Sequence, residues 1–197
     1  MSLKRSAVAA SLALTTLPLA AQDAPQTSGA VLAETTLRGC YRLMAGEIAL
    51  GRDLTEDNKV LTDAGLDIGL RKETMEALGR DALGLISNSV IGQRASGADV
   101  VVFAAGGRMP GCRTILLSQD AGTNGDAAAA ALVAAGWGEV SASRQTTAVQ
   151  RRIFLKADAG GQPWLINMFV GSLPGSQLRM LTTVNPVPPE VTQPPGN

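Results

Sequence analysis

The chain has 197 residues, 17 basic and 17 acidic side chains, no histidine, two cysteines and an aromatic share of 3%. Without histidine it cannot build a Ser-His-acid or Cys-His nucleophile, or a His-ligated zinc site, from its own residues. Balanced charge with no basic cluster argues against a nucleic-acid partner, and no G-x-G-x-x-G, P-loop, S-x-x-K or C-x-x-C occurs.

Residues 1–21 read as an export signal. Lys4 and Arg5 supply the positive start, residues 7–19 the apolar stretch, and Leu19-Ala20-Ala21 the small residues before a cleavage point at Gln22. The apolar stretch is short and Ala-rich for a membrane span, and no Cys follows it to carry a lipid. This signal and the high Ala and Gly content suggest bacterial export, to the periplasm or beyond the cell. Cleavage removes Lys4 and Arg5 and no acid, leaving 15 basic against 17 acidic residues and about 176 residues in all. That length suits one domain with a full core, and nothing in it reads as a further membrane span. Residues 22–29 read as a flexible linker, 30–185 as a single globular α+β domain, and 186–197 as a disordered tail, because Pro186, Pro188, Pro189, Pro194 and Pro195 preclude regular hydrogen-bonded structure.

Within the domain the first pattern is helical. Leu37, Cys40, Tyr41, Met44 and Ile48 recur at spacings of three and four, predicting a helix from 31 to about 51. A second helix is expected from Thr55, with Glu56 and Asp57 in its first turn, and a third over 71–78 ending at Gly79. Strands follow at 83–94, 99–105 and 112–118, separated by Gly-rich turns. An Ala-rich helix is expected over 125–135, with Asn124 or Asp126 near its start. Three more strands occupy 149–184, joined by Asp-Ala-Gly-Gly and Leu-Pro-Gly-Ser reversals. The order is helices, three strands, helix, three strands. Such runs of short-looped strands predict an α+β fold with an antiparallel sheet of about six strands and helices packed on one face. Both halves read as helix followed by meander, although their residues do not align well.

The last three strands carry the functional expectation. With Lys156 opposite Pro163 and Val170 opposite Leu178, period-2 alternation places Val149, Ile153, Leu155, Trp164, Ile166, Met168, Val170, Leu178, Met180 and Val184 toward the core. The opposite face then holds Gln150, Arg152, Phe154, Leu165, Asn167, Phe169, Arg179, Leu181 and Thr183. Its mixture of aromatic, aliphatic and cationic groups makes Arg152, Phe154, Leu165, Asn167, Phe169, Arg179 and Leu181 the candidate binding face, for an unidentified protein, a small ligand or a second copy in a homodimer. Trp137, between two glycines after the Ala-rich helix, is a candidate exposed aromatic for stacking. Cys40 and Cys112 are expected to form a disulfide in an exported chain.

Carboxylates are the remaining chemistry. Glu47, Asp53, Glu56, Asp57, Asp99, Asp120 and Glu139 sit mostly where caps and solvation explain them, and Asp53, Glu56 and Asp57 lack the spacing of a calcium loop. No cofactor or metal is expected. The favoured reading is a noncatalytic binding module of the periplasm or exterior. The alternatives are a cofactor-free hydrolase using paired carboxylates and a structural envelope component.

Overall fold

The computed structural model describes residues 26–50, 61–106, 111–144, 149–171 and 177–188, with the backbone alone for 141–144. The expected signal segment, residues 22–25 of the expected linker, the helix start at Thr55 and residues 189–197 of the Pro-rich tail lie outside them, while the linker's last two residues, Ser28 and Gly29, belong to the first helix. The fold is α+β with one antiparallel sheet, as expected, but the sheet has eight strands. These are β1 (Asp67–Ile68), β2 (Val90–Ser96), β3 (Asp99–Ala105), β4 (Cys112–Leu117), β5 (Gly138–Arg144), β6 (Val149–Ala157), β7 (Pro163–Gly171) and β8 (Leu178–Pro186). They lie side by side in the order β1-β2-β3-β4-β8-β7-β6-β5.

Two strands were missed because their own residues do not signal them. β1 has two residues, and β5 has one large apolar side chain, Val140, which is 57% exposed. β5 is ordered by its ladder with β6 and not by an alternating pattern. The strand expected over 83–94 begins only at Val90.

Each half of the sheet is a meander whose last strand lies at the centre, so β4 and β8 pair across the middle. Helices precede both meanders. Ahead of the first, α1 (Ser28–Thr35) runs into one turn of π-helix (Thr36–Tyr41) and then α2 (Arg42–Met44), ending short of the expected Gly51. After β4 and before the second meander comes the Ala-rich helix. It begins earlier than expected, at Ala121, because Asp120 is its N-cap, its carboxylate accepting the Thr123 N–H at 3.0 Å.

The helices do not share one face. α1 and the Ala-rich helix cover the first face, burying Val31, Leu32, Ala128 and Leu132 against Val101, Phe103, Leu116, Ile166, Met168 and Met180. A further helix, α3 (Lys72–Leu85), lies on the second face, where Leu78, Ala82 and Ile86 seat on Val102, Ala104, Ile115 and Leu117. The backbone leaves the helical region at Gly79, where the helix was expected to end, but a second helical segment follows and adds Ala82 and Ile86 to Leu78 on the sheet. Gly79 takes φ 74° and ψ 168°, a conformation open to glycine, and the helix resumes beyond it. Arg113 on β4 donates to the Leu85 carbonyl at 3.1 Å, placing a cation at the helix C-terminus. The Ala-rich helix, Ala121–Ala134, is α4 from here on.

Three hydroxyls join the first helical unit to the central strand pair. Thr36 donates to the Leu32 carbonyl at 2.8 Å, and its oxygen lies 2.5 Å from that of Thr114 on β4 and 3.0 Å from that of Thr182 on β8. Thr114 and Thr182 also touch each other, and all three are buried. Since one of the three hydroxyl protons is committed to Leu32, two remain for three contacts. Beside this cluster Cys40 and Cys112 form the expected disulfide, with Cα atoms 5.2 Å apart and a sequence separation of 72.

α1 and α4 cross closely at Gly29. Its N–H donates to the Asn124 side-chain oxygen at 3.0 Å, and a Cβ there would stand 2.0 Å from the Asn124 carbonyl oxygen. Asn124, expected near the helix start, is inside the helix and buried, with its amide donating to Ser118 Oγ at 3.0 Å and the Asp120 carbonyl at 2.8 Å. Gly29→Ala should therefore cost about 3 kcal/mol by separating the helices, read as a lowered urea midpoint at unchanged slope. The double variant C40A/C112A should lose about 4 kcal/mol on the chain-entropy account, and calorimetry of the oxidised and variant proteins would check it.

Candidate binding face

The hairpin of β6 and β7 decides which side chains reach this face. Asp158 closes the turn: its N–H donates to the Gln162 carbonyl at 3.0 Å, and its carboxylate accepts from Gly160 N and Gln162 N, both at 2.9 Å. The loop is therefore one residue shorter than expected, and Ala157 faces Pro163 while Lys156 faces Trp164. A one-residue slip moves every side chain of a strand to the other face. Phe154, expected outside, is fully buried in the first-face core, and Val149, Ile153 and Leu155, expected inside, lie half-buried on the second face.

Arg152 moves with Phe154. Its guanidinium forms a two-pronged ion pair with Glu139 on β5, at 2.7 and 2.9 Å, and reaches Asp126 of α4 at 2.9 Å. It also lies 6.0 Å from the Phe154 ring centroid. Arg152 is thus a strut between β6, β5 and α4, and it is not part of an outer binding face.

The strands β7 and β8 alternate as expected, although Val170 faces Met180 and not Leu178. Arg179 is an extra residue in the pairing of β8 with β4, where Leu116 faces Met180 but Leu117 faces Leu178. That bulge turns Leu178 to the second face, into the cluster beneath α3. Of the expected face residues, Leu165, Asn167, Phe169, Arg179 and Leu181 do come together, all half-buried, and Val149, Arg151, Ile153 and Leu155 join them from β6.

Arg151 is the functional candidate that sequence reasoning missed. Its Nε and Nη2 both donate to Asn167 Oδ1, at 3.0 and 2.5 Å, and its guanidinium carbon lies 5.8 Å from the Phe169 ring centroid. A cation over an aromatic face is attracted by the ring quadrupole. Either phase of β6 carries an arginine, Arg151 or Arg152, so the alternation alone did not choose between them. Where this face meets the α3-covered half there is a hollow of about 220 Å³ lined by Val149, Phe169, Gly171, Leu178, Arg179 and Leu181. Its wall is almost wholly apolar.

Trp137 is buried, with 2% exposure, and is not a stacking platform. The chain turns back at the end of α4, where the Trp137 N–H donates to the Leu132 carbonyl at 3.1 Å, and the indole is driven under the helix. Tyr41 stands edge-on to Trp137 and Trp164, with ring centroids at 5.3 and 5.7 Å. Burial, then the charges of Glu47 and Asp158, push the Tyr41 hydroxyl up.

The carboxylates are mostly accounted for by structure. Glu47 pairs with Arg42 at 3.3 Å, and Glu139 with Arg152. Asp53, Glu56 and Asp57 lie outside the described residues. Asp99 and Asp120 share a polar hollow of about 200 Å³ with Ser118, Asn124 and Gln177. Hydrogen bonds from the Thr123 hydroxyl and amide hold Asp120 below the usual carboxylate range, which is the wrong direction for a general acid. Among the described residues no three His, Cys, Asp or Glu side chains converge as a metal site requires, and no helix is long and apolar enough to cross a membrane.

No protein-family model matches the chain, and neither a curated protein nor a solved structure is similar to it.

The Arg152 hydrogen bond, against a desolvation effect of opposite sign, holds Glu139 below the ordinary glutamate range. A carboxylate whose folded pKa is depressed contributes stability that is complete above its unfolded pKa and is lost as pH falls through the folded one. Glu139→Gln should therefore be less stable than the wild type near neutral pH, by at most about 1 kcal/mol for a pair this open to solvent. The difference should fade on acidification below the ordinary glutamate range, and paired urea titrations across that range would show it.

Proposed function

We propose that the chain is an exported, noncatalytic binding module and that its ligand-bearing surface is the uncovered half of the second sheet face. One observation carries this reading. α3 covers that face over β2, β3, β4 and, at Leu178 and Leu181, β8, whereas over β7 and β6 the side chains of Leu165, Phe169, Ile153 and Leu155 are only half-buried around Arg151, with no described element over them. A contiguous apolar surface with aromatic and arginine groups has the make-up of an interface core.

Export is supported by the signal pattern of residues 1–21 and by the Cys40–Cys112 bond, which persists in oxidising compartments. The carboxylate hydrolase is the weaker reading. Asp99 and Asp120, which line one hollow, are both engaged, Asp99 with the Asn124 amide at 3.4 Å and Asp120 as a helix cap, and Asp126 and Glu139 are both paired with Arg152.

The test is affinity capture with the mature protein from a periplasmic extract, comparing wild type with Phe169→Glu after circular dichroism has shown both to be folded. The wild type should retain a component that the variant loses. Identical retention by the two folded proteins would overturn the reading.

A further inference from the structure

Resting on the binding-face reading, we infer that the occupant of this face is an amphipathic helix of a partner protein whose apolar stripe is flanked by acidic residues. The architecture supplies the first argument. The two halves of the sheet follow one plan, a helix on the first face and a meander ending at the centre, with β4 and β8 as equivalent last strands. In the first half α3 lies on the second face, with Leu78 and Ala82, on either side of the kink at Gly79, buried against the strands. The second half has no described helix in the corresponding place. The same sheet surface that accepts a helix on one side of its centre is apolar and open on the other.

Dimensions agree. From Val149 to Leu155 the open face runs along six residue steps of β6, roughly 20 Å at 3.3 Å per residue. A helix of about 13 residues has that length at 1.5 Å per residue. The hollow at the seam, about 220 Å³ in volume, lies between Phe169 on the open side and Leu178 and Leu181 on the covered side. It is larger than the ~150 Å³ apolar cavity that accepts benzene and smaller than the roughly 300–1,000 Å³ of pockets that enclose a whole small ligand. It therefore suits one large apolar side chain projecting from a longer partner, as in helix-in-groove recognition.

Charge sets the flanks. Among the described contacts Arg151 is held by Asn167 and the Phe169 ring, both neutral, whereas Arg179, at the rim of the hollow, is partnered and donates to the Leu178 carbonyl at 3.2 Å. This face presents the Arg151 guanidinium and no Asp or Glu among its described side chains. Opposite charge across an interface selects the partner and steers its approach. A second copy docked face to face would set arginines against arginines, so the partner is a different, acidic surface.

The probe is a stapled helical peptide of about 14 residues with Leu at the i, i+4, i+7 and i+11 positions and Glu on both margins, set against the same peptide with Lys on the margins. Titrated into the mature protein and followed by fluorescence anisotropy, the Glu peptide should bind about tenfold more tightly than the Lys peptide. Arg151→Gln should narrow that gap while leaving the protein folded, and Phe169→Glu should abolish binding of both. Equal affinity for the two peptides, or binding that survives Phe169→Glu, overturns the inference. So does saturable binding of dodecanoate at this face without peptide binding, or self-association of the wild type that Phe169→Glu removes. If neither peptide binds while the capture difference between wild type and Phe169→Glu persists, the helix inference fails alone. If that difference is also absent, the binding-face reading falls with it.

Discussion

The antiparallel ladder between β4 and β8 joins the two meanders at the centre of the sheet. β4 closes the first meander and β8 the second, and their pairing makes one continuous sheet out of two short ones. The partners are more than sixty positions apart, so the loop-closure entropy is large and must be offset by other contacts. Three such contacts lie beside the joint. Thr36 brings the π-helical turn onto Thr114 and Thr182, the Cys40–Cys112 bond ties that turn to the start of β4, and Leu116 and Met180 face each other in the buried layer. A π-helical turn widens a helix locally, and here it is the turn that holds both Thr36 and Cys40.

Cover over the sheet by the described helices is unequal, and that inequality leaves a group of apolar side chains half-buried on the second face. The first face is closed along both halves by α1 and α4, whose close crossing depends on glycine at position 29. Among the described elements, α3 is the one that covers the second face. Its C-terminal carbonyl is met by Arg113, and the Ala77 carbonyl accepts from Gln177 N at 2.9 Å, so α3 is fixed to the central strands and stops at the seam. Beyond the seam the outward side chains are still those of a half-buried sheet, with Phe169 and Leu181 next to each other across β7 and β8.

Two consecutive arginines show how one backbone register assigns opposite roles to the same residue type. Arg152 points to the helix side and is consumed by Glu139 and Asp126, which makes it part of the scaffold. Arg151 points to the open side and rests on Asn167 and Phe169, leaving its charge uncompensated by those neutral groups. The choice between them is made at the turn, where the Asp158 carboxylate gathers two backbone N–H groups and shortens the loop by one residue. A partner that reads charge on this face reads Arg151 because of a hydrogen-bonded aspartate at the far end of the hairpin.

The amino-acid order alone determined the α+β class, the antiparallel meanders, the disulfide partners and the alternation of β7 and β8. Each of these rests on local period, on turn chemistry, or on there being just two cysteines in the chain. It did not determine the phase of β6, because Val149, Arg151, Ile153 and Leu155 on one side and Gln150, Arg152, Phe154 and Lys156 on the other both mix charge with apolar bulk. Nor did it reveal β5, whose order comes from a neighbour, or the reach of α3 past Gly79, where a glycine that reads as a stop serves as a kink. Tertiary structure decided these, and with them the candidate face, because register and helix placement depend on contacts between segments distant in the chain. Local pattern records which side chains can be buried together, whereas the partner strand and the covering helix settle which of them are.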